Sequence, residues 1–476
     1  MCSSKSTGGM LMNKPVLLIP VENQVRELDA KLLLACIAAR HGFSSIIGLH
    51  REIDFRIASF PRGVYLCKSM TERNLKMFQI MRNVGHQIVT WDEEALVHLP
   101  SETYYSRRLD PVTIRYVSHL FAWGEDNAEL WRRYPFLPDG MPIHVTGNPR
   151  SDMLRSELQP FYNDEMDQLQ KMHGDFILIN TNFNHVNAFF PAQNLFRPVE
   201  KAGAEPKFGK AAVGMSRAYA IGLRDHKQAI FDAFKDLIPR LNRAFPDHTL
   251  VVRPHPTENQ DIYRQIAGRC KRVVVTNEGN VVPWLMATKA VIHNGCTTGV
   301  EAFVMGVPAI SYRPEINTTY DNGFYRLPHR VSYQCFNFEE LRDTLEGILN
   351  DRLGAVNGDE RRAVIDESLA AQDGALACER IVDVLEQISE TWTESPEPAW
   401  HNRIFGRGLA SGRRLVVFFR KYFSETAAPA EFHRHRYPGI SLEELRSRIS
   451  KFQQVLNDRT DVKAEQIRDQ IFRIST

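Results

Sequence analysis

The chain lacks a strong charge imbalance, a paired-cysteine pattern and any long apolar run, and each absence closes off a class of function. Lys and Arg number 59 against 57 Asp and Glu, a formal net charge of +2, so no global field directs the chain to nucleic acid. The 7 cysteines show neither C-x-x-C nor metal-ligand spacing. Their odd number argues against a complete disulfide framework and for a reducing cytoplasm. The opening MCSSKSTGGMLMNK has no apolar signal core, and residues 1–13 read as a flexible leader. Residues 16–20 are far too short to span a membrane, and no later segment reaches spanning length. What remains, 476 residues at 43% hydrophobic and 24% charged, has the composition of a soluble globular protein with room for two domains.

Short apolar segments alternate with helical patterns along the first third. Residues 15–20, 43–48, 63–66 and 86–91 read as buried strands, and a helix reaching Arg40 carries Leu28, Leu32, Leu33, Cys36 and Ile37 on one face. A second helix falls near 71–84, and strands at 119–123 and 143–145 continue the alternation, which implies a parallel, doubly wound α/β sheet. Unusual polar residues follow the strands: Glu22 and Arg26 after the first, Lys68 after the third, Asp92, Glu93 and Glu94 after the fourth. Three consecutive acids repel one another, and one with a raised pKa suits a general base for a hydroxyl. Alternatively Asp92 caps a helix while Glu93 and Glu94 complement its dipole. Tyr104, Tyr105, Arg107 and Arg108 form a cationic aromatic loop that either meets an acidic ligand or is simply exposed. In the later GNPRSD loop, Arg150 either reaches across a cleft to a carboxylate or phosphate or pairs with Asp152.

A polar helical stretch at 154–173 marks the domain boundary. The second domain opens with a strand at 176–181 whose end is crowded by Asn182, Asn184, His185 and Asn187. Residues 191–210 are either a mobile lid or an irregular insertion, and helices are expected at 226–245, 338–349 and 361–385. The most informative stretch is 250–314. Pro254 and Pro256 stop the strand ending at Arg253 and present His255 at its carboxyl end. A strand at 290–293 leads through Asn294, Gly295, Cys296, Thr297, Thr298 and Gly299 into a helix at 300–305. Free N–H groups at such a start favour an anion such as a nucleotide phosphate, and Glu301 is placed to accept from ribose hydroxyls. The loop at 276–280, with Glu278 and Asn280, either reaches a nucleobase through backbone groups or serves as a cap. Each feature alone is an ordinary βα unit; two such loops after neighbouring strands point together to a phosphorylated ligand.

The combination of RPHP, NEGNVVPWL, HNGCTTGVEA and GVPAISY resembles the donor domain of bacterial surface carbohydrate biosynthesis proteins. These are GT-B glycosyltransferases related to capsule Kdo transferases and polysialyltransferases and, more distantly, CDP-glycerol polymerases. The resemblance implies a GT-B-like α/β fold of two Rossmann-like domains facing across a cleft. Residues 14–165 would take the acceptor and 166–355 the nucleotide-sugar donor. Helices at 356–398 would return towards the first domain, and 399–476 would form a basic aromatic segment and terminal helices. His255, Thr297 and Thr298 would hold the donor phosphate and Glu301 the ribose, with Arg253, Glu278, Asn280, His293, Asn294 and Gly299 completing the donor site. The DEE after the fourth strand is similar to the family's, which makes Glu93 the expected base with Asp92 and Glu94 beside it. His255 would offset charge on the departing phosphate, and Glu22, Arg26, Lys68, Arg150, Asn182 and Asn184 are expected in the cleft or at the acceptor. The implied reaction moves a Kdo- or nonulosonic-acid-type sugar from a CMP-activated donor to a surface polysaccharide or lipid-linked glycan, with no metal and no separate cofactor. A CDP-glycerol-type glycerophosphotransferase, a nucleotide-sugar 2-epimerase and a non-catalytic subunit of a glycan export complex remain open beside it.

In the tail, Trp400, Phe405 and residues 416–419 mix with Arg403, Arg407, Arg413, Arg414, Arg420 and Lys421. The segment either lies peripherally on the inner face of an anionic membrane or docks on the protein with its arginines outward. Ser441 and Glu444 form a capping-box start, expected to open a final charged helical pair that serves an oligomer or partner contact.

Overall fold

The computed structural model describes residues 15–199, 205–321, 323–393, 397–423, 434 and 436–476, so the expected leader lies outside the described residues. Runs such as VLLIPV and FILINT are buried along nearly their whole length, as strands covered on both faces must be, and they build two parallel sheets. The first holds β1 (Val16–Val21), β2 (Ser44–Leu49), β3 (Val64–Cys67), β4 (Gln87–Thr90), β5 (His119–Ala122) and β6 (Ile143–Val145). The second holds β7 (Phe176–Thr181), β8 (Thr249–Pro254), β9 (Val273–Val275), β10 (Ala290–His293), β11 (Ala309–Tyr312) and β12 (Tyr333–Cys335). Their orders are β2-β1-β3-β4-β5-β6 and β12-β11-β10-β7-β8-β9. Each winds outward in both directions from one point, between β1 and β3 in the first sheet and between β7 and β10 in the second. Ligands in doubly wound sheets settle at those points, outside the carboxyl ends of the strands.

Helices cover both faces. Gln24–Arg40 is almost wholly buried, from Glu27 to Ala39, because it lies between the first sheet and the helices Ala377–Thr393 and Leu442–Val455. The chain leaves the first domain through the short helix Pro149–Asp152 and enters the second with Asn163–His173, which packs on Val281–Ala287. After the second sheet it comes back: Asp359–Ser368 packs on Glu125–Arg132, and the carboxylate of Asp152 accepts the N–H groups of Ala377 and Cys378 at 2.7 and 2.8 Å. That carboxylate caps the returning helix and ties its start to the end of the first domain.

Four expectations change. The helix expected at 226–245 runs Arg217–Ala244, its start set by Ser216, whose side chain accepts from Tyr219 N–H. The helix expected at 361–385 is two, broken where Ala371 adopts a φ of 61° and Arg155 donates to the carbonyls of Ala371 and Gly374. Tyr104, Tyr105, Arg107 and Arg108 lie on a helix, Ser101–Arg108, rather than a loop. The final helical pair is one helix, Leu442–Val455, followed by a hairpin of β13 (Lys463–Arg468) and β14 (Ile471–Ser475). Ser441 does cap the helix, accepting from Glu444 N–H at 3.0 Å, but β14 then pairs antiparallel with β2 and covers that sheet edge. Gly48 sits opposite Ile471, where a Cβ would run into the Gln470 carbonyl.

Candidate functional site

At the winding point of the second sheet, two loops are latched together. Asn294 accepts the Asn182 N–H at 3.0 Å and donates back to the Asn182 carbonyl at 3.2 Å, while Asn180 donates to the Thr298 hydroxyl at 3.1 Å. His293 works from behind. It is fully buried, its Nδ1 accepts the Gly295 N–H at 3.0 Å, and its Nε2 therefore carries the proton towards Ser332 Oγ at 2.9 Å. A Cβ on Gly299 would lie 2.5 Å from that Nε2, so only glycine lets the helix Thr298–Val304 close over the imidazole. His293, Asn294 and Gly299 thus build the turn, and Cys296, Thr297 and Thr298 line the cavity in front of it.

Burial keeps His293 neutral, its pKa pushed down to about 3, and does the same to His86 at about 4. A histidine whose folded value lies below its unfolded value is stabilising above about pH 6.5, and that contribution is lost as pH falls. His255, His185 and His329, each pushed down to about 3 mainly by burial, add to that loss, while Asp152, raised to about 6 by burial, works oppositely. Denaturant unfolding is expected to show stability falling steadily from pH 6.5 to 4.5. Stability that stays flat across this range would contradict neutral burial.

His255 follows β8. Its backbone N–H is held by the Thr181 carbonyl at 3.0 Å and by Glu258 at 3.1 Å, and Glu258 is itself fixed by Thr181 and Tyr263 hydroxyls. The Thr257 N–H donates to His255 Nδ1 at 3.3 Å, so the proton again sits on Nε2. Burial first, then the positive charges of Arg26 and Arg436 and the neighbouring His185, push its pKa down to about 3. The ring is a neutral N–H donor at physiological pH, suited to an anion without supplying a proton to it. Arg253 lies over Trp284 at 5.1 Å and donates to the carbonyl of Glu278 at 2.6 Å, which ties down the loop of Glu278 and Asn280. The Glu278 side chain faces solvent. Asn280 caps the next helix through Val282 N–H at 3.1 Å and donates across the domain boundary to Tyr162 at 2.9 Å and Asp29 at 3.2 Å.

The first sheet presents charge at its own winding point. Glu27, Lys31, Lys68 and Glu93 are packed as a network: Lys31 lies 2.8 Å from Glu27 and 3.6 Å from Glu93, and Lys68 lies 3.2 Å from Glu27. Glu22 pairs with Lys68 and with Arg436; burial opposes its charge, but these two cations hold its carboxyl down at about 2. The three consecutive acids have different surroundings. Asp92 is taken up by Tyr104 at 2.8 Å, Arg108 at 2.9 Å and the Glu94 N–H at 3.1 Å. Glu94 is half-exposed, 3.8 Å from Arg26. Glu93 accepts from the Trp91 indole at 3.0 Å through one oxygen, while the other is buried without a hydrogen-bond partner. Arg150 spans the domains, 3.0 Å from Glu301 and 3.9 Å from Glu93.

These groups surround two adjoining cavities. One of about 120 Å³ brings Arg253, His255, Asn280, Thr297, Thr298 and Glu301 together with Arg26 and Arg150 of the first domain. The other, of about 900 Å³, is walled by Glu93, Lys68 and Asn184, and the two share Arg26, Glu94, Arg150, Asn182 and His255. Asp92, Glu278, His293, Asn294 and Gly299 line neither, nor does Glu22, which pairs with wall residues. Both winding points therefore open on one cleft. The fold is GT-B-like.

No protein-family model matches the chain, and no curated protein matches it. Among solved structures it is similar to a variant of the wall teichoic acid polymerase TagF, at 9% identity and a TM-score of 0.49, over 80% of this chain and 90% of that one. It is also similar to the UDP-GlcNAc 2-epimerase of Methanocaldococcus jannaschii in complex with UDP-GlcNAc and UDP, at 14% identity and 0.45, over 78% and 99% of the chains. A putative UDP-N-acetylglucosamine 2-epimerase of Listeria monocytogenes gives 15% and 0.46, over 81% and 98%.

Among the wall residues of the GT-B-like cleft that escape the sequence reading, two carry cationic side chains. Lys227 sits on the buried stripe of its helix with Ala220, Leu223, Phe231 and Phe234, and burial, against the pull of Asp321, lowers its pKa to about 7. A lysine at an apolar helical position was the available signal. Arg436 comes from the C-terminal segment, and nothing local in HRHRYPG announces that it enters a cleft built by residues four hundred positions earlier.

Proposed function

We propose that the chain is a glycosyltransferase that moves an acidic sugar of the Kdo or nonulosonic-acid type from a CMP-activated donor to a surface-glycan acceptor. One observation carries this reading: a neutral imidazole, a hydroxyl-rich turn and two arginines of the opposite domain share the cavity at the second sheet's winding point, beside a carboxylate oxygen without a donor. In this scheme the donor phosphate lies against His255, Thr297 and Thr298, and the donor sugar projects into the larger cavity, where it meets the acceptor. As the acceptor hydroxyl attacks the anomeric carbon, Glu93 takes its proton and the bond to phosphate breaks with its electron pair on CMP. Arg26, Arg150 and His255 stabilise that leaving charge without reorganising. Acidity of the sugar is favoured by the larger cavity, whose walls hold seven Lys and Arg side chains against three Glu.

A thermal-shift panel of CMP, CDP, UDP and GDP tests the donor class, with selective stabilisation by CMP expected. His255→Ala should weaken CMP about 10- to 100-fold, as loss of a hydrogen bond to a charged group predicts, while the ligand-free melting temperature stays close to the parent. Unchanged affinity would remove His255 from the phosphate. With a CMP-linked acidic sugar, the product should gain one sugar mass as CMP is released; a gain of glycerol phosphate from CDP-glycerol would instead show polyol-phosphate transfer.

A further inference from the structure

The helix Trp400–Phe423 is seated by one side only. Gly406 lies so close to Asn83 that an added Cβ would stand 2.8 Å from the Asn83 Cβ, Ala410 is buried, and Arg414 donates to the Phe55 carbonyl at 2.7 Å. Its other side carries Trp400, Ile404, Phe405, Leu415, Val416 and Phe419, each 51–74% exposed. At 100° per residue these six fall within an arc of about 160°, interspersed with His401, Gly408, Ser411 and Gly412. The remaining large exposed apolar side chains among the described residues are scattered over other elements, so this face is the concentrated exception.

The helix sequence contains six Lys and Arg and no Asp or Glu. Arg403 is met by Glu397 and Arg413 stands 3.8 Å from Asp54; Arg407 borders the apolar arc on the exposed side. An apolar stripe with cationic margins and no acid matches a bilayer surface bearing anionic headgroups. It matches a second copy of itself poorly, because symmetric pairing on this face would set two acid-free helices side by side. No helix among the described residues is long and apolar enough to cross a membrane. We propose that this face docks flat on an anionic phospholipid bilayer, its apolar residues among the acyl chains and Arg407 at the phosphates. Thirteen residues after Phe423 the chain is at Arg436 in the cleft wall, so the docked face lies within about 45 Å of the cleft. The proposal is independent of the donor reading and needs no donor for its test.

Flotation of the full chain with phosphatidylglycerol–phosphatidylcholine vesicles, against pure phosphatidylcholine, reads it directly. Flotation is expected with the anionic vesicles, weakened by salt. The Leu415→Glu, Phe419→Glu double variant should lower the bound fraction about tenfold or more with an unchanged melting temperature, since both side chains are exposed. Failure to float at low salt would overturn the proposal, as would equal flotation of the variant. So would self-association that the variant abolishes while the parent ignores vesicles, which would make the face an interface between copies.

Discussion

Glu93→Gln is expected to lower turnover by about 10²- to 10⁴-fold, the usual contribution of a positioned base, while leaving nucleotide-induced thermal stabilisation intact. The amide keeps the shape of the carboxylate and can still accept from Trp91 through its carbonyl oxygen. What it loses is the second oxygen, buried and without a donor, which is where a proton could be received. The neighbours differ in kind. Asp92 accepts from Tyr104, Arg108 and a backbone N–H, so its lone pairs are committed to holding the loop, and Glu94 is half in solvent. Single-turnover rates with a CMP-activated acidic sugar decide the matter. A rate within twofold of the parent would place the base elsewhere.

Lys31→Met should cost about 3–5 kcal/mol of stability, the range for removing one partner of a buried ion pair. Lys31 is 3% exposed at its side chain, bridges Glu27 at 2.8 Å and Glu93 at 3.6 Å, and donates to the Pro20 carbonyl at 2.7 Å. Glu27 is now held well below the ordinary carboxylate range: burial works against its charge, and Lys31 and then Lys68 outweigh it. Without Lys31 that folded value moves up, with Lys68 left to oppose burial. A carboxyl with a lowered folded pKa contributes stability above its unfolded value and loses it as pH falls through the folded value. The variant has less of that contribution to lose, so its deficit should narrow as pH falls from 5.5 to 3 in urea unfolding. A deficit below 1 kcal/mol at both pH values would show that the network is a solvated cluster rather than a buried one.

The sheets and the cleft loops were legible because their signals are local. An apolar run stopped by Pro254 must present the next residue at its end, and Asn294 to Thr298 can only be a turn. The division of labour within the turn was not legible. His293 shares a strand face with Val291, which counting by twos shows, but that a helix closes over that face, leaving room only for Gly299, is a tertiary fact. The C-terminal hairpin is invisible for a related reason. Its turn places Gln470 at a φ of 53° with no Gly or Asn to announce it, and Lys463–Arg468 reads as readily as a charged helix. Only the edge of β2 decides for strand, and that edge lies at the other end of the sequence.

The same hairpin sets an order of assembly during synthesis. β7 to β12 are contiguous in the chain, so the second sheet has all its strands once Cys335 has emerged from the ribosome. The first sheet begins earlier yet ends later, since its β2 border stays bare until Ile471–Ser475 arrives. Arg436, the second charge partner of Glu22 beside Lys68, likewise arrives only with the last tenth of the chain. A nascent polypeptide thus carries a finished second half while the half begun first waits, its cleft-side charges incomplete, for the closing strand.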